Sequence, residues 1–154
     1  MDVTLKTLEG RRLAAFFTRK PTVDFQAAWT NLHPAAKSQG LVRPGARFLA
    51  TFLADELQGP ASMHWYAGAV EVQPGQAIAA PLEELRLDPG HYALGVHQGS
   101  YGGLAQAWGD LVRSLHAAGH KPDLKRPCLE IYVNDPSTTP ADALRTELYV
   151  PVAG

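Results

Sequence analysis

At 154 residues, with 45% hydrophobic and 19% charged side chains, the chain has the size and composition of one globular domain that can bury a core without metal or disulfide help. A formal charge of −1 supplies no broad positive field for a nucleic-acid backbone, and no apolar run nears the roughly 20 residues of a membrane span, so neither nucleic acid nor membrane is an expected direct partner. The single cysteine, Cys128, excludes an intramolecular disulfide, and the start MDVTLKTLEG lacks the basic-then-apolar pattern of a secretory signal, so a cytoplasmic setting is expected.

In chain order, residues 12–18 read as a strand. Phe25, Ala28, Trp29 and Leu32 then fall at i, i+3, i+4 and i+7, one face of a helix with Thr22 as its N-cap. Pro34 lacks an N–H and its ring clashes with the preceding turn, so it is expected to kink or end this helix near Leu32. Strands are expected at 47–53 and 64–72, followed by an ordered but exposed connector, 73–89, rich in Pro, Gly and Ala. After a strand at 92–98, the apolar face of Leu104, Ala107, Trp108, Leu111, Val112 and Leu115 predicts a second helix, with Gly119 at its left-handed cap. His120, Lys121, Lys125 and Arg126 read as a solvated basic loop, and strands at 128–134 and 145–152 close the chain.

The two helices belong to an internal repeat. Gln26-Ala27-Ala28-Trp29 aligns with Ala105-Gln106-Ala107-Trp108, and Gly40 with Gly119, at an offset of 79. Gly10 aligns with Gly90, 48–52 with 128–132, and 66–72 with 146–152, at an offset of 80. The fold class is therefore α+β: duplicated βαββ units with pseudo-twofold symmetry, an antiparallel sheet packed with two main helices, and a central groove. The halves span about 1–73 and 87–154 of a single domain.

The stretch 128–136 (CLEIYVNDP), Thr139-Pro140 and 144–152 (LRTELYVPV) resemble the closing signature of GyrI-like domains. His97-Gln98-Gly99-Ser100-Tyr101, ahead of the Trp108 helix, is similar to the Gly-x-Tyr approach of the same family. The resemblance implies paired βαββ units around a ligand groove. It also implies one of several roles: effector-binding module of AraC-type or MerR-type regulators, DNA gyrase inhibitor, or hydrolase of cyclopropane-containing genotoxins. Fold alone does not choose among these. No helix-turn-helix pair precedes the signature, so a stand-alone module is expected rather than a direct transcription regulator.

Strand alternation proposes the groove's lining. Leu129, Ile131 and Val133 point one way and are expected under the helices; Glu130 and Tyr132 point the other way, into the groove. The repeat adds Phe48 and Phe52 from the first half, and Trp65 and Tyr149 from the neighbouring strands, with His64 at the groove mouth. A lone carboxylate among aromatic rings suits flat, apolar and cationic small molecules, because ring faces attract cations and the carboxylate neutralises charge. If the domain is an enzyme, Glu130, with a pKa raised by burial, is the candidate catalytic acid or base. Against this stand plainer readings: Glu130 as an exposed strand residue or a partner of Arg145, Trp29 and Trp108 as core, and His64 as an ordinary loop-end histidine.

Other chemistries carry less. His116 and His120 have metal-ligand spacing, but Gly119 ends the helix between them, so no metal and no cofactor is expected. Cys128 reads as a packed thiol, and Gly99, Gly102 and Gly103 as a tight strand-to-helix turn rather than a phosphate cradle. The leading expectation is a small-molecule binder; DNA gyrase or another protein as partner, and hydrolysis of electrophilic compounds, remain the alternatives.

Overall fold

The computed structural model describes residues 1–57 and 60–153 of the chain. The first helix, α1 (Phe25–Ser38), forms on the predicted apolar face, but Asp24 rather than Thr22 caps it, its carboxylate accepting from the Ala27 N–H at 2.9 Å. It also runs through Pro34. An interior proline costs about 3 kcal/mol, and burial of Leu32 before it and Ala36 after it, against Ala14, Val70 and Val72, holds the last turn in place. The second helix, α2 (Leu104–Ala117), ends as predicted, with Gly119 at φ +76° just beyond its cap.

Eight strands form one antiparallel sheet: β1 (Thr4–Leu8), β2 (Arg11–Arg19), β3 (Phe48–Ala54), β4 (Met63–Glu71), β5 (Glu83–Leu87), β6 (Gly90–Gln98), β7 (Cys128–Tyr132) and β8 (Arg145–Pro151). Their order is β1-β6-β8-β7-β3-β4-β2-β5. Two of these strands, β1 and β5, were not legible in the sequence, and β5 lies within the stretch read as an exposed connector. Each pairs across to the other half: β1 with β6, and β5 with β2. The order is consistent with the duplication read from the sequence, with β7 and β3 meeting at the centre.

Both helices lie on one face. The first covers β2 and β4, and the second covers β6. Beneath α2, Ala107, Leu111 and Leu115 pack on Ala93, Leu148 and Val150. The opposite face carries its own core of Leu13, Leu49, Leu94, Leu129 and Ile131. This corrects the expectation for β7: Leu129 and Ile131 do not lie under the helices but on the far face, and Val133 is exposed. The sheet buries both faces, so an apolar alternation alone does not say which side the helices occupy. Arg126, read as part of a solvated loop, is half-buried and donates to the carbonyls of His91 and Val152, tying the β7 approach to β6 and the C-terminal segment.

Candidate functional site

Because the helices cover the outer strands, the central pair β3 and β7 is left as the floor of a groove between α1 and α2. This groove is a cavity of ≈ 1490 Å³. Glu130 of β7 stands on the floor directly opposite Ala50 of β3. Its two oxygens have separate donors: the Trp108 indole N–H at 2.7 Å and the Tyr132 hydroxyl at 2.6 Å. Burial pushes the Glu130 pKa above its ordinary range, opposed by these two hydrogen bonds and by the field of His97.

The walls are aromatic and nearly mirror one another. Trp29 of α1 stands edge-on to Tyr132 of the second half, with ring centres 5.5 Å apart; Trp108 of α2 stands edge-on to Phe52 of the first half at 5.2 Å. The Trp29 indole donates to the Tyr66 hydroxyl at 2.9 Å, where Trp108 donates to Glu130. Tyr66 is buried, which with the neighbouring Glu130 charge raises its pKa to about 12. Gly68 lets the Trp29 ring lie down on β4, since a Cβ there would come within 3.1 Å of the indole.

The rim is apolar too. Among the described residues six large hydrophobic side chains stay exposed, and four of them, Phe25, Val42, Tyr101 and Val133, line this cavity. Such clustering is a binding-surface feature rather than the scattered exposure of an ordinary protein surface.

Of the residues predicted for the groove, the structure brings together Glu130, Tyr132, Phe48 and Phe52. It does not bring Trp65 and Tyr149 there. Cross-strand partners share a face, and Trp65 pairs with Leu53 while Tyr149 pairs with Leu129, so both project to the far side. There Trp65 packs on Phe17, and Tyr149 packs on Tyr92 and donates to Glu147. The residue in register with Phe52 is Tyr66. His64 lies outside the cavity, 2.7 Å from Asp55. Glu130 does not pair with Arg145, which approaches Glu147 instead. Trp29 and Trp108, read as core, are cavity walls: each sits on a helical face that packs on the sheet, and sequence spacing does not separate the buried part of that face from the part bordering a groove. Cys128 is buried and free, its thiol pKa pushed to about 12 by burial. No cluster of His, Cys, Asp and Glu suited to a metal occurs among the described residues, and no helix among them is long and apolar enough to cross a membrane.

The model for the GyrI-like small molecule binding domain matches residues 1–153. The chain belongs to the GyrI-like family. Its fold is similar to that of the EcmrR C-terminal domain, with a TM-score of 0.80 at 15% identity over 99% of this chain and 97% of that one. It is also similar to SAV2435, solved bound to tetraphenylphosphonium, with a TM-score of 0.74 at 19% identity over 100% and 95%. A hydrolase from Listeria innocua matches with a TM-score of 0.62 at 12% identity over 98% and 91%. At these identities the likeness is one of fold. No curated protein sequence matches the chain.

Proposed function

We propose that this GyrI-like domain binds a bulky apolar small molecule carrying positive charge in the cavity between α1 and α2, with Glu130 as the counter-charge. The observation that carries this reading is a single carboxylate on the floor of a cavity walled by Trp29, Trp108, Phe52 and Tyr132. Aromatic faces attract a desolvated cation by about 2 kcal/mol, and the carboxylate adds a direct charge partner. That a structural neighbour holds tetraphenylphosphonium, a lipophilic cation, supports the ligand class.

The test is calorimetric titration with tetraphenylphosphonium and with neutral triphenylphosphine oxide, on the wild type and on Glu130→Gln. Loss of the counter-charge should weaken cation binding roughly 10- to 100-fold, 1.4 kcal/mol per decade, and leave the neutral compound nearly unaffected. Equal affinities for the cation in both proteins would exclude Glu130 as the counter-charge.

One observation favours a second reading, hydrolysis of electrophilic compounds such as cyclopropane genotoxins: the raised pKa of Glu130, with the Tyr132 hydroxyl bound to it, suits a group that directs a water or gives a proton. Product formation from such a compound, unchanged in Glu130→Gln, would remove Glu130 from that role. The gyrase-inhibitor alternative rests on the family resemblance, and a supercoiling assay with the protein in stoichiometric excess decides it.

A further inference from the structure

The chain has nine arginines, all among the described residues. Seven are ion-paired: Arg11 with Glu71, Arg12 and Arg86 with Glu84, Arg19 with Glu83, Arg113 with Asp110, Arg126 with Asp123, and Arg145 with Glu147. The two without a carboxylate partner among the described residues are Arg43 and Arg47, and both border the cavity, although the Arg47 charge acts on Tyr149 of the far face. Arg43 is the more telling. It is half-buried, and its Nε is fully shielded and has no hydrogen-bond partner among the described residues. A buried donor without an acceptor is costly, and native structures leave few of them.

Both arginines come from the turn that leads from α1 into β3, closed by the Ala46 N–H donating to the Arg43 carbonyl. They stand at the end of the groove where Phe48 and Val133 lie, whereas Glu130 lies opposite Ala50 farther along the floor. At about 3.4 Å per strand residue, Phe48 is roughly 7 Å and Arg47 roughly 10 Å from Ala50. The cavity thus has the Glu130 carboxylate on its floor and the Arg43 guanidinium toward one end, with Glu56 and Asp135 also on its lining.

We propose that Arg43 is an anion subsite of this cavity, so that the preferred ligands are amphoteric: an apolar body with a cationic centre over Glu130 and a carboxylate or similar anion roughly 7–10 Å away. This rests on, and sharpens, the reading of the cavity as a cation-binding site. Guanidinium is the side chain best matched to a carboxylate, through paired N–H donors in one plane, and with Nε shielded the terminal amino groups of Arg43 are the donors left to face a ligand.

The probes are pentyltriphenylphosphonium, (4-carboxybutyl)triphenylphosphonium, and the cation-free 6,6,6-triphenylhexanoate, titrated into the wild type, Arg43→Gln, Arg43→Lys, and Arg43→Gln combined with Arg47→Gln. The carboxylated phosphonium should bind the wild type about tenfold or more tightly than the alkyl one, in line with a charge-assisted hydrogen bond. The preference should disappear in the double Gln variant and partly survive in Arg43→Lys, while affinity for the alkyl phosphonium stays the same throughout. If the alkyl and carboxylated phosphoniums bind the wild type equally, or the preference persists without the arginines, the anion subsite is wrong and the Glu130 reading stands. If neither phosphonium binds but the triphenylhexanoate does, and needs Arg43, the subsite is upheld and the Glu130 reading falls. Failure of both carboxylated probes overturns the subsite.

Discussion

The two sides of the cavity are built alike and finished differently. On the α1 side the Trp29 indole gives its N–H to a phenol, Tyr66; on the α2 side the Trp108 indole gives its N–H to a carboxylate, Glu130. The two halves supply a similar shell, two tryptophans each set edge-on against a ring of the opposite half. The likeness breaks at several positions: at an offset of 80, Phe52 corresponds to Tyr132 and Tyr66 to Thr146. At the same offset, Glu130 corresponds to Ala50, and those two residues face each other across the central strand pair. A similar aromatic frame on both sides, with one carboxylate on the floor, suggests how a fold of two like halves gains ligand preference: by changing the acceptor that an indole meets rather than the packing around it.

Placing a second carboxylate opposite the first should have the largest effect. Ala50 is wholly buried, and Ala50→Glu would set two carboxylates directly across one strand pair, with an expected loss of about 3–5 kcal/mol of folding stability in urea titration. A loss under about 1 kcal/mol would mean that the floor is wetter than its burial indicates. Next in size is Gly68→Ala. The new methyl meets the Trp29 ring, so the α1 side should loosen by about 1–3 kcal/mol, with Trp29 fluorescence altered and the Trp108–Glu130 contact kept. Tyr66→Phe removes the acceptor for Trp29 and the hydroxyl that meets Tyr132, and should cost about 1 kcal/mol, leaving the cation preference in place.

The smallest effect, and the one that isolates the asymmetry, is in pH. Burial raises the Glu130 pKa above that of the unfolded chain, so the folded state holds the proton more tightly and this group's favourable contribution is complete below the unfolded value near 4.5. As pH rises from there through the folded pKa, that contribution is lost and stability falls. Cation affinity should run the opposite way, increasing over the same window as the carboxylate ionises. The wild-type minus Glu130→Gln difference in both quantities cancels the acids Glu84, Asp123 and Asp135, whose pKa values are lowered by their hydrogen-bond partners. A flat difference in both would show that Glu130 does not titrate in the cavity.

Several parts of this site were legible in the sequence because they follow from local periodicity. Alternation put Glu130 and Tyr132 on one face of a strand, and the repeat carried the same direction to Phe48 and Phe52. Alternation within a strand does not say which residues of the next strand share that face. That parity depends on register, and it replaced Trp65 with Tyr66 and sent Tyr149 to the far side. The strands β1 and β5 escaped notice because their residues are mostly exposed and charged or polar, and the alternation in β5 is confined to Leu85 and Leu87; pairing with the other half makes them strands.

The sequence by itself determined the α+β composition, the two helices and the presence of one carboxylate among aromatic strand residues, since each rests on contacts a few residues apart, and it offered a repeat spacing with which the strand order is consistent. Only the tertiary structure decided that the helices lie on the Glu130 face, that Trp29 and Trp108 are walls rather than core, and that Arg43, without a carboxylate partner among the described residues, shares their cavity. Those outcomes depend on which distant segments meet: a helical face is buried or left bordering a groove according to the strands beneath it, and a guanidinium is paired or free according to the carboxylates that folding brings within reach.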